Sequence, residues 1–177
     1  MKSRSLAFNT YLLFALLLAA ALFTIGCETA EERKLRKEET SLRLHLEINA
    51  DSSGRNHPIQ VLRSNPVVIN VEDLGFLDER DIEKASVEES QGGFTLKLEL
   101  NDHGRRVLEM VTTANKGRHY AVFSQFPDPR WLAAPKITKR ISDGVITFTP
   151  DASREEAERI VRGLANVIKK LKKTTSL

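Results

Sequence analysis

The sequence has one cysteine, one tryptophan and two methionines in 177 residues, and aromatic residues make up only 6% of it. A lone cysteine excludes a disulfide framework, so the fold must rest on an apolar core. The spacings that carry familiar chemistry are missing too. His45, His57, His103 and His119 are widely separated and form no HxxxH or HExxH pair, so the zinc signatures fail. There is no glycine-rich phosphate loop and no G-x-S-x-G elbow to activate a serine. Asp78, Glu79 and Asp81 cluster without the spacing of a calcium loop and read as a solvated cap. The long uncharged run, Tyr11 to Ile25, is about 15 residues, short of the ~20 that span a bilayer. These absences argue against an enzyme and against a metal or other cofactor.

Charge of one sign is also scarce. The formal net charge is +3, but Lys2 and Arg4 precede the apolar run, and residues 27–177 carry only about +1. A nucleic-acid surface needs basic residues gathered on one face. The dense basic run, Lys169-Lys170 and Lys172-Lys173, ends a predicted helix, where cations complement the helix dipole. No nucleic-acid partner is expected.

What the N-terminus does have is a charged start, an apolar core and Thr24-Ile25-Gly26-Cys27, the anatomy of a secretory signal. With cysteine at the cleavage point it resembles a bacterial lipoprotein signal. In that family the thiol receives a diacylglyceryl group, the signal is cut before it, and the new N-terminus is acylated, commonly with palmitate. Thr24 stands where the family usually has leucine, so an uncleaved anchor and plain secretion remain open. The resemblance implies a signal peptide over 1–26, lipidated Cys27 and a periplasm-facing protein on the membranes of the cell envelope. Glu28, rather than aspartate, favours the outer over the inner membrane. Two or more acyl chains hold a protein firmly on a bilayer.

Residues 27–41 are almost all polar and read as a charged spacer. A single domain over 42–172 and a short tail, 173–177, complete the chain. Leu42, Leu44, Leu46 and Ile48 alternate with polar residues, the period of a half-buried strand. Ile59–Arg63 and Val67–Val71 read as short strands split by Asn65-Pro66. Asp78 is placed to cap one helical turn ending at Ile82. Lys84–Ser90 and Phe94–Leu100 flank Gln91-Gly92-Gly93, a hairpin signal. Asn101 or Asp102 opens a helix that Asn115-Lys116-Gly117 closes. Tyr120–Phe126 is a strand, Phe126–Trp131 a proline-bounded loop, and Ile137–Ile141 with Val145–Thr149 a second hairpin. Ser153 caps a last helix with an apolar stripe from Ala157 to Leu171. The order predicts an α+β fold: a mostly antiparallel sheet with two helices packed on one face, a ferredoxin-like sandwich.

Between about 77 and 164 a further resemblance emerges. Leu77-Asp78-Glu79-Arg80-Asp81-Ile82-Glu83-Lys84-Ala85, Leu100-Asn101-Asp102-His103-Gly104 and Thr112-Thr113-Ala114-Asn115-Lys116-Gly117-Arg118 occur in order. Ala121-Val122, Pro135-Lys136-Ile137, Ile141, Gly144 and Ser153-Arg154-Glu155-Glu156-Ala157 through Leu164 follow. Together they resemble the head subdomain of the first periplasmic domain of SecD, the protein-export membrane protein. The chain departs from that pattern in the longer Pro127–Trp131 segment, at Pro150 and at Ala152. The resemblance implies a domain that contacts an emerging polypeptide and assigns it no catalytic residue. No later membrane helices follow in this sequence, so proton-driven translocation is not carried over.

The expected function is therefore non-catalytic binding of polypeptide or of an envelope protein, with a link to protein export. Trp131, with Arg130, Pro129 and Phe126, is the candidate contact surface, because a tryptophan–arginine pair on a stiff loop has the character of a binding hot spot. The competing expectation for Trp131 is that its indole folds over the sheet. Two other functions are weighed: a structural or regulatory subunit without substrate, and a hydrolase with an unrecognised site.

Overall fold

The computed structural model describes residues 29–35, 37–51, 54–125 and 128–175. Cys27 and Phe126 lie outside the described residues. The chain divides into two units, Met1–Lys34 and Leu35–Leu177. The described part of the first, residues 29–34, holds all but the last residue of helix α1 (Ala30–Leu35), which Thr29 and Glu32 open with reciprocal side-chain-to-backbone bonds of 2.9 and 3.2 Å.

The second unit contains strands β1 (Leu42–Leu46), β2 (Asn56–Val61), β3 (Val67–Glu72), β4 (Ile82–Ser90), β5 (Gly93–Leu100), β6 (Tyr120–Ser124), β7 (Arg130–Ala133) and β8 (Val145–Phe148). Helices α2 (Asp102–Ala114) and α3 (Arg154–Thr175) complete it. The fold is α+β, and every strand pair is antiparallel. The strands divide among three small sheets, ordered β1-β6-β7, β2-β3 and β4-β5-β8.

Alternation decides the layering. Leu42 and Leu44 of β1, Tyr120 and Val122 of β6 and Leu132 of β7 turn one face of their sheet into the main core. Leu96, Leu98, Ile146 and Phe148 do the same for the β4-β5-β8 sheet. Both longer helices close over that core, α2 through Leu108 and α3 through Ala157, Ile160, Leu164 and Ile168. Burying a leucine or isoleucine fully is worth about 1.5–3 kcal/mol, so the α3 stripe is a principal source of stability. The back of the β1-β6-β7 sheet carries a second, smaller core. There the β2–β3 ribbon lays Ile59, Val61, Ile69 and Val71 on Ala121, with Trp131 at the margin.

Local signals set the ends of the helices. Asn101 caps α2 by accepting from Gly104 N at 2.9 Å. Ser153 and Glu156 form a capping box at α3, with bonds of 2.7 and 3.1 Å. Gly92, at φ +86°, makes the two-residue turn between β4 and β5.

Three local expectations change. Ile137–Ile141 forms no strand: the Ile137 amide and carbonyl bond to Arg118 and Gly117, and Ile141 N donates to Thr112 Oγ1. Those backbone groups are committed to the connection around α2, so β8 pairs with β5 instead. Arg130 and Trp131 lie in strand β7, registered against Ser124 and Phe123, because β6 offers them a ladder that local sequence does not reveal. Asp78 starts a turn rather than a helix: its carboxylate accepts from Arg80 N at 2.8 Å and its own N–H donates to Asp81 Oδ2 at 3.1 Å.

The packed part of the second unit begins at Leu35, well ahead of β1. Asn166 of α3 donates to the carbonyls of Leu35 and Glu38 at 3.1 and 2.9 Å. The Glu38 carboxylate meets Arg159 at 3.0 Å and Arg162 at 3.3 Å. Thr40 is fully buried against Gly163, where a Cβ would have no room. This strap lies along α3.

Candidate functional site

Among the described strands, β4 pairs with β5 alone. The β4–β5 ladder ends on Ser90↔Gly93 across a two-residue turn, so that pair exchanges its hydrogen bonds. Antiparallel pairs alternate, so Glu88↔Thr95, Ser86↔Lys97 and Lys84↔Glu99 are bonded in the same way. Ala85, Val87 and Glu89 consequently turn their N–H and C=O groups away from β5. This is an open edge, the element to which an extended peptide adds as a new strand.

The two sides of that edge differ. Lys84, Glu88, Lys97 and Glu99 form a polar surface, with Lys97 at 3.2 Å from Glu88 and 3.6 Å from Glu99. The Glu88 carboxylate, bonded to the Lys97 ammonium, raises its pKa. On the other side Ala85 and Val87 pack toward the core, and α3 runs past them. Its first residue, Arg154, binds Glu89 at 2.6 Å, and Lys172 near its end reaches Glu83 at 3.7 Å. Between β4 and the last turns of α3 lies a cavity of about 490 Å³ lined by Ile82, Ile168 and Leu171, with Glu79, Arg80 and Lys172 at its rim. A second hollow of about 280 Å³ continues it past Ala85 and Ala165. An apolar trough thus runs beside a row of unpaired backbone groups. Sequence reasoning missed this site: Leu171 continues the apolar stripe but is only half-buried, and its excess reach is the signal that was available.

The sequence-predicted surface is built differently. Pro129 is exposed. Arg130 lies 3.1 Å from Glu156, with its side chain only 17% exposed. The Glu156 carboxyl is held below its ordinary pKa first by the Ser153 amide and then by Arg130 and Arg63. Trp131 is half-buried, with its ring 5.1 Å from both His45 and Phe123. The outer edge of β7 is also in use, since Leu132 O accepts from Asp151 N at 2.7 Å. Arg130 and Trp131 therefore serve internal contacts.

The histidines do not converge. His57, His103 and His119 each pair with a different carboxylate, Asp73, Asp81 and Glu47, at 2.6–2.7 Å. The Glu47 carboxyl is lowered against its burial by bonds from the His119 backbone and ring. Among the described residues no group of three or more His, Cys, Asp or Glu side chains is placed to hold a metal ion. Among the same residues no helix is long and apolar enough to cross a membrane.

The class these features define is an antiparallel α+β module whose β4 edge lies open, among the described strands, beside an apolar trough. The family model for the SecDF P1 head subdomain matches residues 57–168, and the chain belongs to that family. The match starts in β2, earlier than the sequence motifs alone suggest. Among solved structures, the membrane component SecDF that enhances protein export aligns with a TM-score of 0.55 at 18% identity, over 80% of this chain and 70% of that one. SecDF in its super-membrane-facing form aligns with a TM-score of 0.56 at 18% identity, over 78% of this chain and 21% of that one. At this identity the likeness is one of fold. No curated protein matches the chain.

Proposed function

We propose that this protein is a non-catalytic, envelope-facing head module that binds extended polypeptide in support of protein export, held at a membrane surface through acylated Cys27. The open β4 edge carries the reading. Backbone groups of Ala85, Val87 and Glu89 give sequence-tolerant affinity, and the trough along Ile168 and Leu171 accepts alternate apolar side chains. Such a site suits a client recognised by its unfolded state. The SecDF relatives support the export setting by family membership.

The test uses the full chain in lipid nanodiscs and a fluorescent, unstructured apolar peptide. Val87→Pro removes an N–H that bonds nothing in the sheet, which an edge strand tolerates. Leu171→Glu charges the trough. Each is expected to weaken peptide binding at least tenfold with little change in Tm. Wild-type affinity in both variants refutes the site. Mass spectrometry of the mature N-terminus tests the anchor separately: an intact Met1 overturns it.

One observation favours a second reading, a subunit docked in a larger complex. Leu62, Val67 and Val68 at the tip of the β2–β3 ribbon are large apolar side chains left exposed. A stable envelope complex that survives Val87→Pro but dissolves with Val68→Lys would select it.

A further inference from the structure

We propose that the β4 edge selects extended segments whose apolar residues recur at every second position, the pattern of an unfolded amphipathic β-strand, over uniformly apolar or helix-patterned segments. This rests on the open-edge reading above and adds to it the sequence class of the client.

Two observations carry it. The first is that the edge separates two environments with a period of two. Ala85 and Val87 pack against the main core, and Glu89 beyond them binds Arg154 of α3 at 2.6 Å. Lys84, Ser86 and Glu88 take the opposite face, where Ser86 is registered against Lys97 and Glu88 bonds Lys97 at 3.2 Å. That face is in water: the Lys84 and Glu88 side chains are 66% and 45% exposed. Paired residues of neighbouring strands keep their side chains on one face. A residue of an added strand that pairs with Ala85 or Val87 therefore turns its side chain toward α3, and the residue between them turns out into water. The register shifts between Ile82 and Lys84, a bulge that leaves Ile82 on the core side with Ala85 despite their odd spacing and so lengthens the apolar side.

The second observation is room on the α3 side. The cavity beside Ile82 and Leu171 and the hollow beside Ala85 and Ala165 share Glu83, Ile168 and Lys172 as walls, so they form one trough. Ala85 is half-buried and Ala165 exposed, and two methyl groups at that point leave space that a leucine or phenylalanine of the client fills. A fully buried leucine is worth more than about tenfold in affinity. On the outward face an apolar side chain gains no such burial, and the charges it would meet already pair with one another, Lys97 with Glu88 and Glu99, and Lys84 with Glu99. A uniformly apolar segment leaves half of its residues there, and a helix-patterned one divides its apolar residues between the two faces. Segments destined to become half-buried or barrel strands carry the alternation that fits.

The experiment measures binding of three fluorescent, unstructured peptides to the full chain in lipid nanodiscs, with binding to empty nanodiscs subtracted. The peptides share one composition and differ in order: apolar residues alternate, recur at helical spacing, or form a single block. The alternating peptide is expected to bind at least tenfold tighter than the other two. Ala165→Leu fills the second hollow from an exposed helix position, and is expected to bring the alternating peptide within threefold of the others without lowering Tm. An alternating advantage that survives Ala165→Leu overturns the proposal, as does tighter binding of the helix-spaced peptide, which would report a helix docked on α3. Equal binding of all three peptides that Val87→Pro abolishes overturns the selectivity and leaves the open-edge reading standing. Binding of none overturns both.

Discussion

Replacing Gly163 by alanine sets helix propensity against packing, and packing should win. In the middle of α3, alanine favours the helix over glycine by about 1 kcal/mol. An alanine Cβ at 163, however, would overlap Thr40 Oγ1 and lie 3.0 Å from the Thr40 backbone nitrogen and 3.1 Å from its Cβ. A rotamer change cannot relieve contact with backbone, so the strap must shift outward. Overpacking of this kind costs about 1–3 kcal/mol. The shift also strains the two carbonyl bonds from Asn166 and the Glu38–Arg159 pair, and a typical hydrogen bond contributes about 1 kcal/mol. The net expectation is a loss of about 2 kcal/mol, or roughly 4–8 °C in Tm for a domain of this size. Thermal unfolding by circular dichroism measures it, and hydrogen exchange at Thr40 and Ser41 locates it. An unchanged or raised Tm with the strap amides still protected refutes the reasoning.

Two further outcomes follow from the second core. His45 is buried, and burial is the main cause of a pKa below 6.5, against the 2.8 Å bond from Nδ1 to Glu72 O. The unfolded chain then binds a proton that the native state resists, so stability is full above about pH 6.5 and falls on acidification, by up to about 1.4 kcal/mol per pH unit. His45→Gln keeps a donor for Glu72 and should flatten that slope in urea titrations; an unaltered slope would assign it elsewhere. Trp131→Ala empties the space between His45 and Phe123 and should cost about 2 kcal/mol, less than a fully buried tryptophan, while peptide binding at the β4 edge stays within twofold. A large loss of binding with unchanged stability would move the site to β7.

Much of the architecture can be read locally. Leu42 and Leu44 alternate into the core, Phe94 to Leu100 do so on β5, and the Ala157–Ile168 stripe covers them. The Asn101 and Ser153 caps stand where side-chain chemistry puts them. What escapes is whatever depends on a distant partner. Arg130–Ala133 follows prolines and reads as loop until β6 supplies a ladder. Ile137 to Ile141 has strand-like residues, but its backbone bonds go to Gly117, Arg118 and Thr112. The strap reads as solvated spacer because the arginines that neutralise Glu38 lie more than 120 residues away. The same holds for the site. The β4–β5 hairpin is announced by Gly-Gly, but which of its edges stays open depends on β8 choosing β5, a nonlocal pairing. The role of Trp131 is likewise fixed by neighbours from β1 and β6 rather than by its own loop.

The strap has a mechanical consequence. A load arriving from the N-terminal side of Leu35 meets Asn166 and the doubly held Glu38 before it reaches β1, and these grips lie along the axis of a 22-residue helix. The helix shares that load across its whole apolar stripe, in shear, rather than letting β1 peel from β6 one bond at a time. Tension on the leading segment is thus taken up at the far end of the sequence, and the first strand is spared until the last helix gives way.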